Sequence, residues 1–235
     1  MRKALLLARR EIIEQYTDRG AILRALVLTA LPIVFVVANR GAAASRGSDL
    51  ILLIYCLQAA LLPAATAINM AAASFAAEKE AQTLVPLLAA PIRDIDIVAG
   101  KLLAVLLPSS AFSAISIGSF YVAAIATFGQ ERVARVLEPA TLYALFALSV
   151  LFIITIGAWV MVISARIGSQ RTAQQVAGFF LAGMVVALTA GGGLIGRDLA
   201  SELLIAAALA ILLSDVVALE LARRLWNREE AVARL

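Results

Sequence analysis

Apolar residues in this chain come in long, nearly charge-free blocks rather than in short alternating runs. Six blocks stand out, at about 21–38, 50–77, 102–128, 141–164, 176–190 and 203–221. Half-buried strands alternate with period two and soluble surface helices with a period near 3.6, so blocks that are apolar all round point to helices surrounded by lipid. A helix crosses the hydrocarbon core with roughly 20 residues, in a range of about 17–25. The fifth block is short for this. The second and third are long, which predicts tilt, kinks at Pro63 and Pro108, or extension past the bilayer. The pattern therefore predicts an all-α integral membrane protein, six transmembrane helices forming one membrane domain over 1–235.

Residues 1–20 break the block pattern and read as an amphipathic helix. Leu5, Leu6, Ile12, Ile13 and Tyr16 recur at helical spacing, while Arg9, Arg10, Glu14 and Asp18 cover much of the rest. A basic amphipathic helix beside a first span is expected to lie in the membrane interface. The opening "MRKALLLARRE" has too short an apolar core before Arg9 and Arg10 for a secretory leader, so it is expected to be retained. The links "NRGAAASRGSD", "GQERVARVLEP" and "GGGLIGRDLASE" are too short to fold as domains. Gly191, Gly192, Gly193 and Gly196 end the fifth helix early. That stretch reads either as a partly re-entrant segment near the outer surface or as an ordinary glycine-rich loop.

Composition agrees with this class: 63% of residues are hydrophobic and 15% charged, against about half and about a quarter in soluble domains. The net charge of +4 comes from topology rather than from a nucleic-acid partner. With the N-terminus placed in the cytoplasm, fourteen Lys and Arg residues fall on the cytoplasmic side and five on the outer side; Arg24, inside the first span, completes the twenty. This is the positive-inside asymmetry, and it predicts a multi-pass plasma-membrane (cell inner membrane) protein with both termini cytoplasmic.

The chemistry is sparse. There is no histidine, and one cysteine, Cys56, within the second block. Histidine-based acid–base catalysis, a thiolate metal site and a Ser–His nucleophile are thereby excluded, and no metal site is expected. Gly100-Lys101 is followed by Leu102, and Ile95 stands where a phosphate-binding loop needs its first glycine. The chain is therefore not expected to be an enzyme. Asp215 in the sixth block is either an intramembrane functional carboxylate or a structural partner for a basic group such as Arg24. Gln58, Thr66 and Asn69 add polarity to the second block, which suits interhelical hydrogen bonds or a pathway.

The remaining exception is the charged segment 78–101. Glu78 and Glu80 mark the exit from the second block, and Thr83 suits an N-cap. Pro86 is tolerable in a first helical turn, Leu84, Leu87 and Leu88 share one face, and Pro91 stops the helix. Asp94 and Asp96 then favour the start of the third helix. The result is a two-turn helix outside the bilayer, too short to stand alone. It packs either on the chain's own N-terminal helix or on another protein.

This segment resembles the signature of type-2 ABC transporter permeases: an acidic pair, then Gly-Thr-Leu-Glu-Pro-Leu-Leu, a proline and a later Gly-Lys. The chain keeps Glu78, Glu80, Thr83-Leu84, Pro86-Leu87-Leu88, Pro91 and Gly100-Lys101, and departs at Gln82 and Val85. "ISARIGSQRTAQQ", with Arg166 and Arg171, is similar to the family's second cytoplasmic loop. The resemblance implies a permease subunit that forms an export pathway with a second copy or a similar permease. A separate cytoplasmic ABC ATPase would bind ATP and Mg, so no cofactor is expected in this chain. It further implies that Glu78, Glu80, Thr83, Leu84, Leu87, Leu88 and Pro91 contact that ATPase through a coupling helix. Lys101, Arg166, Arg171, Asp215, Gln58 and Asn69 are interface or pathway candidates. Alternatives are a haem-exporter permease of the same superfamily, a membrane assembly factor that recruits a cytoplasmic partner, or an ion-coupled transporter using Asp215; the absence of an internal repeat counts against the last.

The topology has a direct test. In a Cys56→Ser background, cysteines placed at Ser45 and Ser169 are expected to react with impermeant thiol reagents from opposite sides of the membrane. Reaction of both from the same side overturns the six-span arrangement.

Overall fold

The computed structural model describes residues 2–17, 19–38, 40–41, 48–72, 94–166, 171–172, 174–176, 178–179, 182–183, 209, 212–218 and 220–221. Those residues are helical or lie in short turns, and no strand occurs among them. Seven helices are well delimited: α1 (Arg2–Tyr16), α2 (Arg19–Ala38), α3 (Ser48–Leu61), α4 (Ala64–Ala72), α5 (Asp94–Phe128), α6 (Gln130–Val136) and α7 (Pro139–Arg166). Four stretches are long and apolar enough to cross a membrane: Arg19–Ala38, Leu52–Ala72, Asp96–Phe128 and Pro139–Ile163. They coincide with the first four blocks of the sequence. The fifth and sixth blocks fall largely outside the described residues, as do the 191–196 glycine segment and the segment 78–93.

α5 is the axis of the fold, and every other helix named above packs against it. Its 35 residues give a rod of roughly 52 Å at 1.5 Å per residue, against a hydrocarbon core of about 30 Å. The rod is longer than a single upright crossing of that core requires. The helix starts at Asp94, so the charged approach to the third block is part of the same rod as the span itself.

Two apolar clusters hold the bundle. One joins α4, the first half of α5 and α7 through Ile68, Ile97, Val105, Phe152, Ile156 and Met161. The other, towards the far end of α5, joins α2, α3, α5 and α6 through Val36, Leu52, Phe120, Val133 and Leu137. α6 is a difference from the sequence reading, which treated "GQERVARVLEP" as a link. The chain turns at Gly129, whose φ of 87° suits a residue without Cβ. It then forms two helical turns that bury Val133 and tie Arg132 to Asp49 at 2.9 Å. The apolar i and i+4 positions Val133 and Leu137 find a pocket that a solvated loop would leave empty.

Prolines interrupt the helices, and serines on α5 compensate. Pro63 lies in the turn between α3 and α4, where Ala65 and Thr66 donate to Leu62 and Pro63 three residues back. The regular ladder is lost there, and Ser113 donates to the carbonyl of Ala60 at 2.9 Å. Pro32 lies inside the continuous helix α2, and Ser116 donates to the carbonyl of Thr29, one turn before it, at 3.2 Å. Lipid offers no water to these carbonyls, so a neighbouring hydroxyl must replace it. Ser109 shares a hydrogen bond with Thr66 at 3.0 Å, and the Ser113 and Ser149 hydroxyls meet at 2.8 Å. Ser109, Ser113 and Ser116 recur at i, i+4 and i+7, so one stripe of α5 stitches four helices together.

Close helix approach is set by Gly157 on α7. A Cβ there would stand 3.3 Å from Leu102 Cδ1 and 3.5 Å from Val105 Cγ1. Gly157→Ala is expected to be nearly neutral, because a leucine terminus can yield. Gly157→Leu is expected to cost about 1–3 kcal/mol by overpacking, read as a lowered Tm of the purified chain. Equal Tm values for the leucine variant and the wild type would contradict this α5–α7 contact.

Candidate functional site

Lys101 is two turns into α5, and its side chain has no exposed surface. Its ammonium donates to Glu11 Oε1 on α1 at 2.9 Å, and the Glu11 side chain is 13% exposed. Leu7 and Ala8, one turn before Glu11 on the same side of α1, are buried beside it. A charge removed from water costs several kcal/mol unless it is paired, so α1 cannot slide along α5 without separating this pair. The contact fastens the N-terminal helix to the end of α5 that follows directly on segment 78–93. Glu11 was not singled out from sequence; a lone acid at the edge of a basic amphipathic helix carries no signal until its partner, 90 residues away, is placed.

Leu5, Leu6, Ile13 and Tyr16 form an apolar stripe, as the spacing predicts, but the stripe faces away from the bundle and remains exposed. Packing uses the opposite side. Arg10 and Glu14 pair at 2.7 Å on the remaining, exposed side.

The other candidates are scattered. Gln58, on α3, keeps its Oε1 buried without a hydrogen-bond partner. Asn69 is half-buried on α4. Asp215 lies in the helical stretch 212–218, which rests on α7: Trp159 Nε1 donates to Ser214 Oγ at 2.8 Å, and the Thr155 hydroxyl lies by the Asp215 carboxylate. Asp215 is 6% exposed, and its Oδ1 has no hydrogen-bond partner. The carboxylate is thus placed against α7 rather than against Arg24, which is exposed on α2. Among the described residues no hydrogen bond joins Gln58, Asn69 and Asp215. Arg166 is the last residue of α7, and Arg171 is exposed. Glu78, Glu80, Thr83, Leu84, Leu87, Leu88 and Pro91 lie outside the described residues. Among the described residues no group of three or more His, Cys, Asp or Glu side chains is placed to hold a metal. The hydroxyl stripe on α5 was also missed from sequence, although its i, i+4, i+7 spacing inside a span was there to read.

A family model described as "ABC-2 family transporter protein" matches residues 6–209, most of the 235-residue chain. No curated protein matches the chain.

The buried pair has a signature in stability. Lys101→Met leaves Glu11 facing apolar surroundings without its partner and is expected to destabilise by about 3–5 kcal/mol. The value should fall towards the lower end, because Glu11 retains some exposure. The double variant Glu11→Leu, Lys101→Met removes both charges and is expected to recover most of that loss. Thermal unfolding of the two single variants and the double variant gives the coupling directly; additive losses would show that the two charges do not depend on each other.

Proposed function

The chain belongs to the ABC-2 family of transporter proteins, and on that premise we propose that it is the membrane subunit of an ABC exporter whose ATP is bound and hydrolysed by a separate cytoplasmic subunit. The observation that carries the reading beyond family membership is the Glu11–Lys101 lock. α5 begins where segment 78–93 ends, and Lys101 couples its base to α1. A push on that segment is therefore delivered to the rod on which every other named helix packs. Supporting it is the leucine face of Leu84, Leu87 and Leu88, around Pro86 and ahead of Pro91, which suits a groove on a cytoplasmic partner. The absence of a phosphate-binding loop from the sequence fits a division of labour in which this chain supplies the pathway and the partner supplies the energy.

In this reading two permeases, identical or similar, enclose the pathway, and ATP and Mg reside on the partner subunits. Both termini and segment 78–101 face the cytoplasm, in keeping with the positive-inside asymmetry. The apolar spans and compact outer links favour a lipophilic cargo. Asp215 belongs to this proposal as a pathway candidate, since a buried carboxylate with an unpartnered oxygen is uncommon inside a membrane bundle.

The coupling assignment is tested at Leu87. Burying a leucine is worth roughly 1.5–3 kcal/mol, and a carboxylate in its place adds desolvation of an unpaired charge. Leu87→Asp is expected to weaken binding to the ABC ATPase subunit by more than about tenfold, the equivalent of about 1.4 kcal/mol. The stability of the permease alone should stay unchanged. Lowered stability with unaltered ATPase affinity would mean that the leucines pack on the chain itself, and would overturn the assignment.

A further inference from the structure

We propose that the outward side of α1 is a binding surface for an anionic phospholipid of the leaflet it borders, with Arg9 as the headgroup contact. Three observations fix that side. First, α1 is locked in rotation: Leu7, Ala8 and Glu11 face α5, and the Glu11–Lys101 pair forbids turning. Second, the residues on the outward side are apolar and exposed, with Leu5 at 56%, Leu6 at 60% and Ile13 at 57%, and Tyr16 closes the stripe. Third, α2, the first span, begins at Arg19, three residues after α1 ends. A linker that short reaches no more than roughly 10 Å, so α1 lies at the membrane surface where the span enters. Lipid is therefore the medium on the outward side.

Arg9 is the exception within the apolar stripe. At 100° per residue it falls between Leu5, Tyr16 and Ile13. It is exposed, and it makes no ion pair among the described residues, whereas Arg10 beside it is paired with Glu14. An arginine flanked by acyl-contacting residues extends its stem along them and places its guanidinium among the phosphates. The planar fork suits a phosphate bidentately. A tyrosine at the same level is the usual companion of an interfacial anchor.

The surface commits to an anionic lipid because the arginine supplies a charge that a zwitterionic headgroup already balances internally. One basic residue near an anionic surface changes binding by about fivefold. The same helix carries Glu11 on its inner side, so the lipid contact and the lock on α5 are two faces of one element.

Native mass spectrometry of the full chain, titrated in detergent with phosphatidylglycerol or phosphatidylcholine, tests the proposal. The wild type is expected to bind phosphatidylglycerol more tightly than phosphatidylcholine. Arg9→Gln should weaken the first by about fivefold and leave the second unchanged, and Arg9→Lys should restore much of the difference. Arg135→Gln, on α6 at the other end of α5, is expected to leave both affinities as they are. Inorganic phosphate should not displace the bound lipid. The proposal fails if the wild type shows no preference, if Arg9→Gln weakens both lipids equally, or if phosphate alone competes. It also fails if Leu6→Ser splits a dimer while phosphatidylglycerol binding persists, since a second copy of the chain would then cover the stripe. None of these outcomes depends on the ATPase, so they are separate from the exporter reading.

Discussion

Every named helix in this bundle leans on α5, and the constraint behind that arrangement is the lack of water in the bilayer core. A backbone carbonyl freed by proline finds no solvent there and must be met by the protein. Near Pro63 and Pro32 the carbonyls of Ala60 and Thr29 accept from Ser113 and Ser116, which sit one turn apart on α5. Each interhelical hydrogen bond is modest, averaging about 0.6 kcal/mol in a membrane. Their weight lies in placement. They set the register of α2, α3 and α7 against one rod, while Gly157 lets α7 approach it closely.

The charge at the base of α5 does a different job from the hydroxyls within it. A buried ion pair is weak evidence for stability, since desolvation offsets most of its attraction. What Glu11–Lys101 supplies is a single allowed position for α1 on α5. A rod with a fixed cross-piece at its base moves as one body, which is what a transporter needs if force applied outside the membrane is to reach the pathway inside it. The hydroxyl stripe higher on the rod ties the other spans to it. The packing that makes the bundle stable is thus the same packing that would make it move as a unit.

Much of this was legible in the chain before its structure. The blocks at 21–38, 50–77, 102–128 and 141–164 coincide with the four membrane-length helices, because an apolar run in lipid has no alternative to the helix. The helix over residues 1–20 was readable from its periodicity, and the break near Pro63 from the missing amide. Family membership was legible in the resemblance of "AQTLVPLLAAP", with the later Gly-Lys, to a known family signature, since that pattern is local. α6 was missed because a seven-residue stretch with four polar or charged positions looks like any polar link until Val133, and Leu137 just after it, have a cavity to fill.

Composition and periodicity thus determined the class of the protein and the positions of its first four spans, properties in which each residue answers to its immediate neighbours and to the solvent, while the family came from a local resemblance. The tertiary structure alone decided which side of α1 is buried. The apolar stripe of Leu5, Leu6, Ile13 and Tyr16 could be read from sequence, but that Leu7, Ala8 and Glu11 face α5 could not. The reason is that hydrophobic burial has no direction of its own: an apolar stripe is satisfied equally by lipid or by protein. A carboxylate is satisfied by neither except at a matching cation. Lys101, buried 90 residues away, turned the helix.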